Sequence, residues 1–293
     1  MTDETKGMIL GVIGVAIFSI TLPATRIAVL GGLDAVTVGL GRAVVAAMVA
    51  AVILVVTRQP VPPRRHWGRL VVVALGIVLG FPLFMTIAMG TVPAAHGGIV
   101  LGVLPLATTA AAALLCRERP SPGFWAMAFL GSAVVVGFAL IKGGGDLQAA
   151  DLWLLAAAAC AGVGYALSGD LSRSLGGWQV ICWVLIVALP FIVPPVLWVL
   201  PDVDWRAPWP VWGGFIYVAL FSQLIGFFAW NRGLALGGVA RVGQVQLLQL
   251  FMTLAASAWL LGEDIDWVTI IFAVGIVGVV AVGRRMPVAR RAL

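Results

Sequence analysis

Residues 94–118, AAHGGIVLGVLPLATTAAAALLCRE, and residues 239–263, VARVGQVQLLQLFMTLAASAWLLGE, decide the fold when they are laid over each other. A shift of 145 places Ala95 on Ala240, Gly98 on Gly243, Thr108 on Thr253 and Glu118 on Glu263. Both stretches open with small residues, run apolar for a membrane-spanning length of about 20 residues and close on a glutamate. The same shift places Gly31-Gly32 on Gly176-Gly177, and beyond the glutamates a shift of 144 places Gly131 on Gly275. One shift held over most of the chain points to an internal duplication, although the shared Leu, Ala and Val background adds matches of its own.

Outward from these stretches the pattern continues. Apolar runs lie near 7–30, 35–57, 68–89, 94–115, 122–141, 150–170, 177–200, 209–230, 239–261 and 266–284. They are separated by short turn-forming breaks such as TRQPVPPRRHWGR, KGGGDLQ and PDVDWRAPWP. The 293 residues are 62% hydrophobic and 10% charged, with a mean hydropathy of +1.10. A water-facing domain carries about 25% charged residues, so most of this surface is expected to face lipid. The fold expected is all-α and membrane-embedded, with ten transmembrane helices in two five-helix units, residues 1–145 and 146–293. Five is odd, so the second unit enters the membrane from the opposite side. Inverted repeats of this kind build many secondary transporters, with the substrate held near mid-membrane at the repeat interface.

The net charge of +6 and pI near 10 raise the question of a nucleic-acid partner. The arginines sit in short gaps and in the tail rather than on one helical face, which argues against it. With the N-terminus cytoplasmic, Lys6, Arg58, Arg64, Arg65, Arg69, Arg117, Arg119, Arg173, Arg232, Arg241, Arg284, Arg285, Arg290 and Arg291 lie inside, fourteen of the eighteen basic residues. That asymmetry places both termini, including a basic tail, in the cytoplasm of a bacterial inner membrane. The N-terminal MTDETKG carries acids and no cleavage site interrupts the run after it, so it reads as an uncleaved first helix.

Enzyme chemistry finds no support. The two histidines, His66 and His96, fall on opposite sides, Cys116, Cys160 and Cys182 form no CxxC pair, and no GxSxG, HExxH or P-loop pattern occurs. No cofactor and no metal are expected. The partners expected are a small-molecule solute and the lipid bilayer, with the chain a monomer or a homodimer.

Polar residues inside spans are costly in hydrocarbon and therefore informative. In the ninth span Gln246, Gln249, Thr253 and Ser257 share one helical face, which either glues helices together or lines a cavity. In the eighth, Gln223 and Phe227 share a face with Asn231, and Tyr217 lies upstream; the sixth offers Tyr165 and Ser168, the first Thr21 and Thr25. These ten residues, Asn231 and Ser257 aside, are the candidate substrate-binding set. Pro23, Pro82 and Pro105 each remove a backbone donor inside a span and mark candidate kinks. His96 opens the fourth span as a candidate gate or a wetted interfacial side chain. Arg42 is a charge well inside a span. It either snorkels outward to cap neighbouring carbonyls or binds a substrate carboxylate. None of the twelve acids maps to mid-span, and proton-coupled pumps usually carry a buried carboxylate.

Residues 90–140 and 233–283 also resemble the later part of an EamA-type unit: a small residue opening the fourth helix, a mid-helix Pro or polar residue, a closing glutamate and a Gly-rich fifth helix. GVIGVAIFSITLPATRIAVLGGLDAVTVGLGRAVVAAMVAAVILVV, residues 11–56, is similar to the family's first two helices. The resemblance covers about residues 7–284 and implies the drug/metabolite transporter superfamily. Within it the chain, by overall likeness together with its polar and aromatic residues, resembles the aromatic amino-acid exporters of the YddG type. The small multidrug transporters of this superfamily depend on a first-helix glutamate, and here that helix offers only Ser19, Thr21 and Thr25. The function implied is alternating-access export of small neutral or zwitterionic metabolites, amino acids first. Multidrug or cation efflux and a non-transporting scaffold are the alternatives.

Overall fold

The computed structural model describes residues 1–92, 94–143, 149–261, 267–283 and 285–290. In chain order its helices are α1 (Asp3–Leu30), α2 (Thr37–Val56), α3 (Arg64–Met89), α4 (assembled from Ala94–Val100, Leu101–Val103 and Leu104–Leu115), α5 (Pro122–Gly143), α6 (Ala149–Leu175), α7 (Gly177–Asp202), α8 (Trp209–Gly237), α9 (Val239–Leu260) and α10 (Trp267–Gly283). Seven of them are long and apolar enough to cross a membrane, and α4, α5 and α10 are shorter apolar helices.

Polar residues at the helix ends extend two helices beyond their apolar runs. The sixth run stops at Asp170 in sequence, yet α6 continues to Leu175. Asp170 accepts from Arg69 Nη2 at 2.7 Å and Arg173 donates to Glu118 at 3.3 Å, so the last turn has partners for its charges. Likewise α8 passes through Asn231 and Arg232 to Gly237. At the turns, Gly32, Gly176 and Gly238 have φ of +105°, +96° and +88°, a region that side chains disfavour. Gly32 and Gly176 hold the equivalent conformation, so the repeat shift at that turn is 144 rather than 145.

One feature corrects the purely helical expectation. Strand β1 (Glu118–Pro120) pairs antiparallel with β2 (Val288–Arg290), tying the α4–α5 connection to the C-terminal segment. Pro120 and Pro287 disfavour helix for themselves and the residue before each, and the extended segments then pair.

Glycine sets the closest helix crossings. A Cβ on Gly7 would lie 2.5 Å from Gly237 N, and one on Gly233 would lie 2.9 Å from Gly11 N. So α1 and α8 cross backbone to backbone. Between α3 and α6 a Cβ on Gly76 would lie 2.6 Å from Cys160 O, and one on Gly164 3.3 Å from Ile77 N. In lipid, apolar surface alone does not drive helices together, so small residues that admit close approach do this work instead. Gly7→Leu is therefore expected to cost about 1–3 kcal/mol by overpacking; unfolding of the detergent-solubilised variant by SDS titration measures it, whereas Gly137→Leu, at open space, should change little.

Irregular helix recurs at equivalent places. α3 widens to a π-helix over Ala74–Gly80 and α8 over Tyr217–Ile225. α4 tightens to 3-10 over Leu101–Val103 and α9 over Gln244–Leu248. Adding 145 carries 74–80 onto 219–225 and 101–103 onto 246–248, inside the matching segments. α4 and α9 also cross closely: a Cβ on Gly98 would lie 2.8 Å from Leu250 Cδ1, and one on Gly243 3.1 Å from Thr108 Cγ2. Irregular backbone at membrane depth is tolerated only where protein or a cavity supports it. α5 and α10 pack on each other and, with α9, form a separate apolar cluster.

At the arginine-rich end the two units are tied by charge. Glu118, 4% exposed, accepts from Val239 N at 3.0 Å and Ala240 N at 2.8 Å, as well as from Arg173. A carboxylate here satisfies the orphan donors that open α9 and sits at the positive end of its dipole. Arg241 pairs with Glu4 at 2.9 Å across the same seam. The second closing glutamate, Glu263, lies outside the described residues.

Candidate functional site

The irregular segments of α3 and α8, the 3-10 turn of α4 and the middle of α1, α6 and α9 meet around two small adjoining voids. The first is lined by Phe18, Thr21, Leu22, Arg42, Ile77, Phe81, Met85, Leu101, Tyr165, Ser222, Gln223, Phe227 and Gln249. The second touches Leu22, Gly98, Leu101, Gly102, Leu104, Gln246, Leu247, Gln249, Leu250 and Thr253. Leu22, Leu101 and Gln249 belong to both. The space open to a water's centre is about 20 Å³ in the first and about 10 Å³ in the second. One water itself fills about 10–15 Å³ as a sphere. The centre is thus contracted to water size, and a metabolite needs the helices to part.

The prolines explain why polar side chains gather here. Pro23 cannot donate to Ser19 O, its i−4 carbonyl, and Thr253 Oγ1 donates to that oxygen at 2.9 Å. In α3 the π-helical pattern carries Phe81 N–H to Gly76 O. The next donor would come from Pro82 to Ile77 O, and Pro82 has none. Gln223 Nε2, from the π-helix of α8, donates to Ile77 O at 3.3 Å. At α4, Pro105 follows the 3-10 turn, where Leu104 N–H bonds Leu101 O. Each proline-made gap is thus met by α8, by α9 or by a tightened turn.

Thr21, Tyr165, Gln223, Phe227 and Gln249 from the substrate-binding set line the first void, with Arg42 beside them. Gln246, Gln249 and Thr253 line the second. Thr21 Oγ1 and Ser222 Oγ share a hydrogen bond of 2.8 Å. Thr108 Oγ1 donates to Gln246 Oε1 at 3.2 Å, while Gln246 Nε2 is buried without a partner. Phe227 lies 5.1 Å from Phe18 and 5.9 Å from Tyr165, centroid to centroid.

Three members of the set lie elsewhere. Ser168 Oγ donates to Asn231 Oδ1 at 2.8 Å, and Asn231 Nδ2 donates to Gly177 O at 3.2 Å, locking α6, α7 and α8 together. Tyr217 donates to Ile17 O at 2.8 Å and stacks on Phe221. Thr25 is fully buried with its hydroxyl unpartnered and lines neither void. The side chains of His96 and Ser257 lie outside the described residues.

Arg42 corrects the snorkelling expectation. It is 1% exposed, and its Nε and Nη1 have no hydrogen-bond partner. It neither reaches the interface nor caps carbonyls through those atoms, and lines the first void with Ile77, Phe81, Tyr165 and Gln223. The other span arginine, Arg26, does cap carbonyls, donating to Met89 O at 3.2 Å and to Val92 O. Sequence reading missed Phe18, Phe81 and Met85, which apolar background hides. It also missed Ser222, whose signal was its place beside Gln223 in an otherwise apolar run.

The comparisons agree with this architecture. The EamA-like transporter family model matches residues 5–141 and again 148–283. The chain is 44% identical over 286 residues to the "Uncharacterized transporter YdeK" of Bacillus subtilis (strain 168), covering 97% of this chain and 99% of that protein. A solved crystal structure superposes with a TM-score of 0.76 at 20% identity, over 95% of this chain and 96% of the other, which speaks to the fold alone. With both halves matched by the same family unit, this chain belongs to the EamA-like transporter family.

Proposed function

We propose that the protein exports small neutral or zwitterionic metabolites, amino acids first, by alternating access through the central voids. Ten spans in two inverted five-helix units, with both termini in the cytoplasm of a bacterial inner membrane, are the topology that goes with this reading. The observation that carries it is the two voids where irregular helices from both halves meet, walled by amides, hydroxyls and one cation, of which Gln246 Nε2 and the Arg42 Nε and Nη1 have no partner. Soluble cargo needs such a wall, because a polar solute crossing hydrocarbon unaided leaves its own groups unsatisfied. In that orientation the ties of Glu118, Arg173, Glu4 and Arg241 close the cytoplasmic side, and opening inward requires them to separate. Lipophilic cations suit the site poorly. Among the described residues no carboxylate lines either void, and Arg42 would repel such a cargo.

Counterflow in proteoliposomes, with labelled aromatic, branched and hydroxy amino acids, tests the reading. Gln249→Ala and Gln246→Ala are expected to slow exchange by about 10-fold or more, since a buried hydrogen bond lost to a polar group costs about 1–3 kcal/mol. Unchanged exchange in both variants would remove the voids from the transport route. A pH gradient alone is expected to drive no uphill uptake, because among the described residues no acid stands in the wall to couple it, and uphill movement would contradict that expectation.

A further inference from the structure

The first void holds a charge that the fold itself leaves unanswered. Arg42 is buried, Nε and Nη1 find no acceptor, and among the described residues no acid lies in the lining. An isolated buried guanidinium is costly. Its planar donors match a carboxylate edge to edge. Around it stand the Thr21 and Ser222 hydroxyls and the amide of Gln223, whose nitrogen is already engaged with Ile77 O and whose oxygen remains an acceptor. Phe18, Phe227 and Tyr165 add aromatic faces, which attract an ammonium. A carboxylate donor site and ammonium acceptors thus share one void.

The second void has another character. Leu22, Leu101, Leu104, Leu247 and Leu250 are five of its ten lining residues, beside Gln246, Gln249, Thr253 and Gly98 at the α4–α9 crossing, and among the described residues no aromatic side chain lines it. Resting on the transport reading above, we propose that Arg42 binds the substrate carboxylate. The aliphatic lobe at Gly98 then takes the substrate side chain, so the preferred solutes are amino acids with short aliphatic side chains rather than aromatic ones. Leu22, Leu101 and Gln249 form the passage between the two lobes.

Proteoliposome counterflow separates this proposal from the broader one. Wild-type protein is expected to exchange valine and leucine faster than phenylalanine, and to ignore isopentylamine, which is leucine without its carboxylate. Arg42→Gln should slow leucine exchange by at least about 30-fold, the effect of leaving one member of a buried charge pair alone, and Arg42→Lys should restore part of it. Gly98→Ala places a Cβ 2.8 Å from Leu250 Cδ1 and should lower the leucine-to-alanine rate ratio by about 10-fold. Should Arg42→Gln prove unstable, leucine-dependent thermal stabilisation of Arg42→Lys and wild type replaces the rate.

Equal transport of leucine and isopentylamine, or faster transport of phenylalanine, overturns the assignment and leaves transport standing. So does stabilisation by chloride that leucine does not displace, which would make Arg42 an inorganic-anion site. Movement of nucleosides or ethidium with no amino acid moved overturns the amino-acid class. If none of these solutes moves, the transport reading falls and this one with it.

Discussion

Replacing Glu118 with alanine is expected to lower the stability of the folded protein by about 3–5 kcal/mol, the cost of removing one member of a buried ion pair. Three donors lose their acceptor together: Val239 N, Ala240 N and Arg173 Nη2. Each N–H is buried at the start of α9, where no preceding turn can supply a carbonyl. A water could relieve Arg173, which is a quarter exposed, more readily than the two amides. Glu118→Gln should fall between, because one oxygen still accepts while the new NH2 faces a backbone donor. SDS titration of the solubilised protein reads the free energies. Arg173→Ala measured alone and in the double variant gives the pair's coupling. A loss below about 1 kcal/mol in Glu118→Ala, the range of an exposed pair, would mean that water reaches the cap and that this end is open.

This glutamate shows how far the sequence carries. Its position at the end of the fourth apolar run and its recurrence at Glu263 are plain in one dimension, and they read as helix punctuation. Its partners lie about 120 residues away on another helix, and no local pattern names them. The same boundary separates the candidate residues that line the voids from those that do not. Periodicity correctly put Gln246, Gln249 and Thr253 on a common face. It said nothing of Tyr217, which lies upstream of the Gln223–Phe227 face, at the start of the π-helix Tyr217–Ile225 of α8. Each residue inserted by such a turn rotates the remainder of the helix by about 100° relative to a regular α-helix. Ser168 read as a candidate cavity residue, yet its hydroxyl bonds Asn231, which shares the Gln223 and Phe227 face in sequence. A polar side chain in hydrocarbon announces that it needs a partner; only packing says whether that partner is protein or solute. The prolines were legible as gaps in the backbone ladder, and Thr253 and Gln223 fill two of them from across the repeat interface.

The aromatic cluster carries the other large expected effect. Trp230→Ala should destabilise the protein by about 3–5 kcal/mol, the range for deleting a large buried aromatic side chain. In sequence Trp230 could face lipid or cavity equally well. In the structure it is 0% exposed, while Trp205 in the α7–α8 turn and Trp209 and Trp267 at helix starts are exposed as an interfacial belt requires. Its ring meets Phe18 at 6.1 Å and Tyr165 at 5.5 Å, both edge-on, and a Cβ on Gly14 would lie 3.2 Å from its backbone nitrogen. The indole therefore fills the space where α1, α6 and α8 converge next to the first void. Its Nε1 has no hydrogen-bond partner, and leaving a buried donor unsatisfied costs about 1–3 kcal/mol. Trp230→Phe removes that donor along with part of the ring. The two changes offset, and a net effect within about 1.5 kcal/mol is expected for a swap that keeps most of the shape. The contrast between the two variants is the test. If phenylalanine costs as much as alanine, then the Nε1 proton has a partner in the membrane-embedded protein, most simply a water in the adjoining void. Transport by Trp230→Phe would then show whether that water belongs to the route.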